Sequence, residues 1–574
     1  MKLVIFNILK AFISKSAPQK DRSKCQIAPI TSFKKNNSRY FLFFCFTSAK
    51  KDVTLLTLKI QLENHSIAMK IFTNDGLRRI GDHTVDKENI TMLDLIERAA
   101  SAVSYELISR WRTSKRFVFF AGPGDNGADT LAVARMMYEQ GYKPEVYLFN
   151  IKSAQLSPCC LANRDRLLQT AGEDIEFIEV IQNFTPPELD ENDVVVDGLF
   201  GNGLRSPLKG GYTALVQYIN SSGAFVVSID VPSGMFGEWN VGNDRRNIIR
   251  ANLTLTYQSK RLAFYFSENA DCVGECKVLD IELDSESLAR TPTDFYLIER
   301  EDVREVMHPR DPFINKYDNG TVLLIAGSYG MMGAAVLAAR GALRAGAGLV
   351  TVHAPRCGHQ VLQTAVPEAL FEPDRNELVT THIDLRHTYS VVALGPGMSV
   401  NDESLEAVHQ FIMNFKRPCL IDADALNCIA RRPMLLRSIP HRSIITPHAI
   451  EFDRLFGEHN TDEERLKKAL DVSKLYNITI VLKGHYTMTV RPDSKVYVNS
   501  SGNPGMATPG SGDVLTGVIS ALIAQNYSAD WSVVLGVYLH GLAGDLAAQT
   551  HGTYGMIAGD IVDNLGKAIN EVMK

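Results

Sequence analysis

The fold of this chain is decided by the stretch Asn503-Pro-Gly-Met-Ala-Thr-Pro-Gly-Ser-Gly-Asp-Val-Leu-Thr-Gly517, a glycine-rich turn that leads directly into a predicted helix. The helix is predicted because apolar residues recur at the spacing of one buried face: Val514, Leu515, Val518, Ile519, Leu522 and Ile523. Free N–H groups at the start of such a helix favour a bound phosphate. Asp513, in the first turn, could accept a proton from a hydroxyl that attacks this phosphate. The alternative is that Asp513 is only a helix-terminal charge.

Other polar turns in the C-terminal half follow strand-like runs and are predicted to line the same pocket. They are Gly327-Ser328 with residues 333–335, then residues 395–397, 422–427, 446–448 and 483–487. In an open α/β sheet, ligands lie at the carboxyl ends of the strands, where such turns meet. Lys483 could offset the charge of a nucleotide phosphate. Taken alone, Lys483 would be a solvated surface lysine and His448 a loop histidine, so the interpretation depends on the order of the turns.

Apolar runs rich in Val, Ile and Phe alternate with segments of helical period twice along the chain. This pattern predicts two α/β domains, each built on a mostly parallel sheet. The predicted strands include residues 117–120, 194–196 and 225–229, and then 322–325, 391–394, 420–421 and 478–482. Residues 283–300 lack glycine-rich loops and a strong apolar period. We therefore place the boundary near residues 285–300, with domains at 69–290 and 291–574.

Three polar turns follow strands in the first domain, and we expect them to converge at one edge of its sheet. They are Ala121-Gly-Pro-Gly-Asp-Asn-Gly-Ala-Asp-Thr130, Asp197-Gly-Leu-Phe-Gly-Asn-Gly-Leu204 and Asp230-Val-Pro-Ser-Gly234. The amide of Asn126, the carboxylate of Asp197 and the hydroxyl of Ser233 would suit a hard cation with oxygen ligands. The alternative is that these Asp and Ser residues only cap helices.

The charge of the 574-residue chain is unevenly distributed. Residues 1–68 contain 12 Lys and Arg against 3 Asp and Glu, whereas the rest of the chain has a net charge of −14. An acidic body disfavours a broad nucleic-acid surface, but it allows small phosphorylated ligands held by backbone N–H groups. We therefore expect no nucleic-acid partner.

Residues 1–68 form a basic extension that does not resemble the rest of the chain. None of its apolar bursts reaches the roughly 18 residues that a membrane helix needs, so we expect no membrane partner. We predict that the extension is disordered or results from an upstream start, with Met69 the true one; a targeting segment is the alternative. The nine cysteines show no CxxC spacing, which favours a reduced, cytoplasmic compartment over zinc or disulfide sites.

Residues 69 to about 285 resemble the YjeF N-terminal domain family, whose enzymatic members are NAD(P)H-hydrate epimerases with a Rossmann-like fold. The resemblance rests on residues 125–129, Asp197 with residues 201–207, and residues 230–234. It implies that Asn126, Asp197 and Ser233 coordinate potassium. It also implies a hydrated-nucleotide site lined by Asp125, Asn126, Gly127, Ala128, Asp129, Gly201, Asn202, Gly203, Leu204, Arg205, Ser206, Pro207 and Asp230. The family usually reads Asn-Asn-Gly-Gly-Asp-Gly where this chain has Asp125 to Thr130.

Residues 295–574 resemble the ribokinase-like YjeF C-terminal family of ADP- or ATP-dependent NAD(P)H-hydrate dehydratases. The resemblance implies that the hydrate contacts Ala334 or Ala335, Gly397, His448 and Asp513. It implies that ADP or ATP, with Mg²⁺, contacts Lys483, Gly484, His485, Tyr486, Thr487 and Gly512. This chain departs from the family at Pro509, where Gly or Ala is usual, and at Ala449-Ile450, where Pro-Gly is usual.

Two domains fused in this order resemble the bifunctional nicotinamide-nucleotide repair enzymes. The resemblance implies that the first domain interconverts the R and S hydrates of NADH and NADPH. The second domain would dehydrate the S hydrate, with ADP the favoured phosphoryl donor by analogy with bacterial fusions. We expect a homo-oligomer. The rival hypotheses are a ribokinase-like vitamin or sugar kinase, since that superfamily shares the glycine-rich turn, and a first domain that only binds a ligand.

Overall fold

A computed structural model describes the backbone of residues 26–35, 38–46 and 53–60, and residues 69–151, 156–182, 184–383 and 387–574 in full. The three N-terminal segments are strands β1 Gln26–Lys35, β2 Ser38–Phe46 and β3 Val53–Ile60, which pair antiparallel in that order. These strands differ from the expectation of a disordered extension. They fall on runs of aromatic and β-branched residues, the types that are enriched in strands. The rest of the extension lies outside the described residues.

The first domain contains a seven-stranded sheet in which every neighbouring pair is parallel. Its strands are β5 Phe117–Ala121, β6 Pro144–Phe149, β7 Glu176–Val180, β8 Val194–Gly198, β9 Phe225–Ile229, β10 Leu253–Tyr257 and β11 Glu275–Leu279. They lie in the order β11-β10-β9-β8-β5-β6-β7. The strand order therefore reverses between β5 and β8, which is where an open parallel sheet forms a ligand crevice.

Helices cover both faces of this sheet. They are α1 Asn74–Glu88, α2 Met92–Arg110, α3 Asp125–Glu139, α4 Pro158–Ala171, α5 Gly211–Ser221, α6 Ala270–Val273 and α7 Ser285–Arg290. Two apolar cores result, one on each face, and side chains of β5 contribute to both because its five residues are all buried. The continuous apolar run of this strand is what burial on both faces requires.

The second domain contains a larger mixed sheet. Its strands are β12 Phe295–Ile298, β13 Thr321–Ile325, β14 Leu349–Ala354, β15 Leu370–Pro373, β16 Val391–Leu394, β17 Leu420–Ile421, β18 Ile444–Ile445, β19 Thr479–Leu482, β20 Met488–Val490 and β21 Val496–Asn499. The order is β15-β14-β13-β16-β17-β18-β19-β20-β21-β12, parallel from β15 to β19, with β20 antiparallel to both of its neighbours. The predicted α/β class with two sheet-based domains is confirmed.

The helices of this domain surround the sheet. They are α8 Arg300–Val306, α9 Met332–Arg344, α10 Gly358–Ala365, α11 Asp402–Asn414, α12 Ala423–Arg431, α13 Ala449–Phe456, α14 Asp462–Tyr476, α15 Ser511–Ala524, α16 Ala529–Gly555 and α17 Ala558–Met573. Helix α16 is long and apolar enough to cross a membrane, but 72% of its most apolar window is buried inside the fold. It is a core helix that kinks at Gly552.

The two domains are joined by more than their linker. Strand β4 Met69–Ile71, which we predicted to belong to the first domain, pairs antiparallel with β12 at the edge of the second sheet. The reason is that Ile71 is buried in the core of the second domain, where Leu262, Tyr265 and Phe266 of the first domain also pack. The domain boundary therefore does not fall at a single point of the chain.

Polar contacts strengthen this junction. The Glu463 carboxylate, 2% exposed, accepts hydrogen bonds from the backbone N–H of Asn240 at 2.6 Å and of Val241 at 3.0 Å. Lys467 pairs with Glu463 at 2.9 Å and lies over the ring of Trp239. A buried carboxylate with several partners holds the two domains in one arrangement.

Candidate active sites

The first cleft lies at the β5–β8 reversal and has a volume of about 610 Å³. The turn after β5 runs into α3, whose N-cap is Gly124 and whose first N–H groups have no side-chain cap. The predicted residues that line this cleft are Asp125, Asn126, Asp129, Gly201, Asn202, Gly203, Leu204, Arg205 and Asp230. The three turns that we expected to converge therefore meet here.

Four predicted residues lie outside the lining of the first cleft. Gly127 supports the turn instead: a Cβ atom there would lie 1.8 Å from the carbonyl oxygen of Gly122. Ala128 is fully buried and its carbonyl accepts a hydrogen bond from Asn163. Ser206 and Pro207 are exposed beyond the rim.

Asp197 and Ser233 lie in contact beneath this cleft. Ser233 donates to Asp197 twice, from Oγ at 2.5 Å and from its backbone N–H at 2.9 Å, and Ser228 Oγ donates at 2.8 Å. Burial raises the pKa of the Asp197 carboxyl. No ion pair to Asp197 is present among the residues that the structure describes, so this charge has no cation from the protein to balance it.

The oxygen atoms around Asp197 fit a hard monovalent cation. Ser233 Oγ lies 3.1 Å from the carbonyl oxygen of Phe200, which adds a backbone oxygen to the carboxylate and the hydroxyl. Asn126 lines the cleft nearby, and its buried Nδ2 has no hydrogen-bond partner. The side chains predicted to hold potassium are therefore of the right chemical type, and two of the three are in direct contact.

Two residues of the first cleft were missed by the sequence analysis. Arg261, 2% exposed, donates from Nη2 to Asp230 Oδ1 at 2.5 Å, while Asp230 Oδ2 accepts from the backbone N–H of Asn202 at 3.0 Å. Tyr257 ends strand β10, and burial raises the pKa of its hydroxyl well above the usual value. The sequence could have indicated this turn, because a polar run from Gln258 to Arg261 follows the run of apolar and β-branched residues in β10.

Asp129 lies in the same part of the first cleft, on helix α3. Burial raises the pKa of its carboxyl well above the usual value, and the nearby carboxylates of Asp230 and Asp125 raise it further. Asp230, by contrast, is paired with Arg261. The cleft thus contains one carboxyl group held as an ion pair and another that favours its protonated form.

The second cleft has a volume of about 810 Å³ and lies between the N-terminus of α15 and the turns after β17, β18 and β19. The predicted residues that line it are His448, Lys483, Gly484, His485, Thr487, Gly512 and Asp513. Gly510 is the N-cap of α15, with a left-handed φ of 89° that a glycine adopts at low cost, and no side chain caps the helix. The first N–H groups of α15 therefore remain available to an anion.

Asp513 is the carboxylate closest in sequence to this turn. Burial and the nearby Asp422 raise its pKa to about 7, and Lys483 partly counters them. Lys483 Nζ lies 3.0 Å from Asp422 Oδ1 and 3.9 Å from Glu451 Oε2. One ammonium group thus faces several carboxylates. Together with burial, this balance of charges brings the pKa of Asp513 near neutral pH.

Three further residues keep this cleft in shape. His448 caps α13 and donates its backbone N–H to Glu451 at 2.9 Å; burial lowers the pKa of its ring. His540 is buried with its pKa lowered to about 4, so it stays neutral and donates from Nε2 to the Ser511 carbonyl at 3.0 Å. Asp545 accepts hydrogen bonds at 2.9 Å from the Gly502 N–H and from Asn503 Nδ2. The sequence did not reveal His540 and Asp545, which belong to the apolar helix α16 and to no local motif.

Four predicted residues are not part of the lining of the second cleft. Ala335 is fully buried, whereas Ala334 is partly exposed beside Gly397, whose carbonyl accepts from Ser328 Oγ at 2.8 Å. Ala334 and Ala335 lie in the first turn of α9, and Gly397 lies in the turn after β16. The Tyr486 ring turns away from the cleft and contacts Tyr265 of the first domain edge to face, with 5.0 Å between ring centroids.

Two family models match the chain. One, described as YjeF-related protein N-terminus, covers residues 92–263, and the other, described as NAD(P)H-hydrate dehydratase, covers residues 322–567. Each match contains most of the residues that line one of the two clefts. The matches therefore follow the division into two sheet-based domains.

Relatives with both domains match across most of the chain. The chain is 32% identical to the bifunctional NAD(P)H-hydrate repair enzyme of Thermofilum pendens, over 87% of this chain and 96% of the relative. It is 31% identical to the enzyme of the same name from Escherichia coli, over 88% and 95%. Among solved structures, the ADP/ATP-dependent NAD(P)H-hydrate dehydratase of Bacillus subtilis, co-crystallised with ATP and Mg²⁺, is 28% identical. It covers 48% of this chain and 97% of its own, with a TM-score of 0.42.

Proposed function

The chain belongs to the family of bifunctional NAD(P)H-hydrate repair enzymes, and on this premise we propose that it restores damaged NADH and NADPH at two separate sites. The first cleft would interconvert the R and S hydrates. The second would dehydrate the S hydrate at the expense of ADP or ATP. The observation that carries the proposal is the position of Asp513 in the first turn of α15, beside uncapped N–H groups and Lys483.

The second cleft offers what phosphoryl transfer to a hydroxyl needs. The terminal phosphate of the nucleotide would bind at the start of α15, with Lys483 offsetting its charge. Asp513 would take the proton of the 6-hydroxyl as its oxygen bonds to phosphorus, while the bond between phosphorus and the leaving nucleotide breaks. Departure of phosphate from C6 and of a proton from C5 then restores the double bond of the ring.

Mg²⁺ fits this cleft as a companion of the nucleotide. Asp422 and Glu451 line the cleft with carboxylate oxygens, the ligand type that Mg²⁺ prefers. When bound with the nucleotide, the ion would neutralise part of the charge of the phosphates. The residues that would hold it are the same carboxylates that face Lys483.

In the first cleft, Asn126, Asp197 and Ser233 would hold potassium. The support for this is the buried carboxylate of Asp197, which is surrounded by oxygen atoms and lacks a protein cation among the described residues. The ion would balance that charge and fix the turn at residues 199–205, through the Phe200 N–H that donates to Ser233 Oγ at 2.9 Å. Asp125, Asp129, Asp230 and the turn at residues 201–205 would then contact the hydrate.

The test is the return of absorbance at 340 nm when purified protein is mixed with R and S NADH hydrate, Mg²⁺, K⁺ and either ADP or ATP. Full recovery of both epimers supports two working sites and identifies the phosphoryl donor. Recovery of the S hydrate alone, with R consumed only at its spontaneous rate, contradicts the epimerase assignment. No recovery with either nucleotide contradicts the dehydratase assignment and favours the vitamin-kinase alternative.

We further propose that the protein acts in the cytoplasm on these small molecules, without nucleic-acid or membrane partners, as a homo-oligomer. The acidic body of the chain supports the expectation of no nucleic-acid partner, because it repels polyanions. Size-exclusion chromatography with light scattering measures the oligomeric state, and a monomeric mass would contradict the last part.

A further inference from the structure

We propose that Asp129 and Tyr257 form the proton-transfer pair that exchanges the hydroxyl group of the hydrate in the first cleft, with Asp230 and Arg261 as a fixed ion pair beside them. This inference rests on the proposed epimerase function and names the groups that perform it. Tyr257 and Arg261 lie outside the motifs that identify the domain.

The first observation is a set of unsatisfied polar atoms. Asp129 Oδ1, Tyr257 Oη and Arg261 Nε are buried and have no hydrogen-bond partner among the described residues, and all three residues line the cleft. Folded proteins leave few buried polar atoms unpaired, because each one costs free energy. Three such atoms in one cleft indicate that a polar ligand completes their hydrogen bonds.

The second observation is that two neighbouring carboxyl groups, those of Asp230 and Asp129, have different partners. Asp230 is held in place by Arg261 Nη2 at 2.5 Å and by the Asn202 N–H at 3.0 Å. Asp129 has no ion-pair partner in the described part of the chain. Two neighbouring carboxyl groups whose surroundings differ in this way can serve as a charged stabiliser and as a proton donor.

The third observation is the relation between Asp129 and Tyr257. The phenol and the carboxyl group are close enough to influence each other, yet neither Tyr257 Oη nor Asp129 Oδ1 has its hydrogen bond. Burial, reinforced by the nearby carboxyl groups of Asp129 and Asp230, raises the pKa of the Tyr257 phenol, so it acts as a hydrogen-bond donor. A ligand hydroxyl placed between the two groups would contact both.

The proposed reaction needs no reactant other than water, and its bonds and protons balance. Asp129 gives its proton to the C6 hydroxyl, the C6–O bond breaks, and the lone pair of the ring nitrogen forms a C6=N bond as water leaves. Water then adds to the opposite face of C6, the C=N electron pair returns to nitrogen, and Asp129 recovers one proton. Tyr257 donates a hydrogen bond to the departing oxygen, and Asp230 stabilises the positive ring between the two events.

The experiment follows R hydrate in H₂¹⁸O with the full-length protein and K⁺ but without nucleotide, so that no dehydration occurs. Chiral separation and mass spectrometry then measure the S hydrate and its isotope content. We expect the wild type to form S hydrate that carries one ¹⁸O. Asp129→Asn should slow this conversion on the order of 100-fold and Tyr257→Phe about tenfold, as for loss of a proton donor and of one hydrogen bond.

Matched variants separate chemistry from folding. Asp165→Asn and Tyr105→Phe, at exposed positions of the same domain, should convert R hydrate at the wild-type rate. Asp129→Glu should recover part of the rate lost in Asp129→Asn, which a purely structural role would not predict. All variants should consume S hydrate normally in the presence of nucleotide, which reports an intact chain.

Two results would overturn the inference: an Asp129→Asn rate within twofold of wild type, or S hydrate that retains ¹⁶O. If Asp129→Asn does not fold, the rate of Tyr257→Phe tests the proposal instead. A wild-type rate of R-hydrate conversion in Tyr257→Phe would also overturn the proposed proton-transfer pair. A wild-type protein that does not accelerate conversion above the buffer rate would instead overturn the proposed epimerase function itself.

Discussion

The two clefts both lie at the carboxyl ends of parallel strands, but they balance their buried carboxylates in opposite ways. In the second cleft, Lys483 is shared between Asp422 and Glu451 and also lowers the pKa of Asp513. In the first cleft, Arg261 is committed to Asp230, while Asp197 has no protein cation among the described residues. The second cleft thus carries its own positive charge for an anionic co-substrate, whereas the first needs a cation or a proton from solution.

This difference explains why the second site would respond to an added nucleotide and the first site to an added cation. A site with an ammonium group shared between carboxylates and with free helix N–H groups is suited to a nucleotide phosphate. A site with an unbalanced buried carboxylate is suited to a small cation, because an isolated buried charge is costly. The first two predictions below each alter the charge balance of one cleft and use the activity of the other cleft as an internal control.

The largest effect is expected from the removal of the base in the second cleft. Asp513→Ala should lower nucleotide-dependent consumption of S hydrate on the order of 1,000-fold, because it removes the carboxylate that we propose accepts the proton. Conversion of R to S hydrate, measured by chiral separation, should be unchanged. Asp563→Asn, an exposed change on α17, is the matched control, and a variant Asp513→Ala that keeps its dehydratase rate contradicts the base assignment.

The removal of the unbalanced carboxylate from the first cleft should give the next largest effect. Asp197→Ala should slow R-hydrate consumption on the order of 100-fold, since both the cation and the Ser233 contact depend on it. Consumption of S hydrate should stay at the wild-type rate. Replacing K⁺ by a large organic cation in wild-type assays should reproduce the defect. Equal losses for both epimers would argue against a separate epimerase site.

The raised pKa of Asp513 should set the pH dependence of dehydration in the second cleft. Asp513 must be deprotonated to act as a base, and its pKa is raised to about 7. The kcat/KM for S hydrate should therefore fall about tenfold for each pH unit below that value and level off above it.

Lys483→Met should move this pH profile to higher pH, because Lys483 is the cation that lowers the pKa of Asp513. At neutral pH the rate should fall about tenfold, with a higher KM for the nucleotide. Lys474→Met, in the last turn of α14, provides the control. A Lys483→Met profile that coincides with wild type would show that the lysine does not influence the base.

The smallest effect on activity is expected at the junction between the domains. Glu463→Ala leaves two backbone N–H groups unsatisfied, at Asn240 and Val241, and should cost about 2 kcal/mol of folding free energy. Calorimetry should show a melting temperature lowered by a few degrees, with both catalytic rates within about twofold of wild type. Glu403→Gln, in the exposed first turn of α11, is the control. An equal decrease of the melting temperature in that variant would contradict a specific role of Glu463 at the junction.

Much of the fold and of both clefts could be predicted from local sequence. Apolar runs followed by glycine-rich turns predicted the strands that carry the sites, because parallel strands end at a common edge. Asp129, Asp230, Lys483 and Asp513 were all found in this way, and each lines its cleft. The pattern worked because the turn and the helix that follows it are neighbours in the chain.

Other features required contacts between distant segments. Arg261 acts on Asp230 across 31 positions, and His540 reaches Ser511 across 29. Strand β4 joins the sheet of the second domain although more than 220 residues separate it from β12. No local motif marks such pairs, so the sequence analysis missed them or assigned them to the wrong domain.

The sequence by itself determined the class of the fold, the two domains and the glycine-rich turns that we propose bind anions, because backbone conformation and amphipathic period are local properties. The tertiary structure alone decided how charge is shared between Lys483, Asp422 and Asp513, and that Asp197 has no cationic side chain beside it in the part of the chain that the structure describes. It also decided that Tyr486 faces Tyr265 rather than its own cleft. Proton affinity depends on burial and on charges a few ångströms away, and these arise only when distant segments pack together.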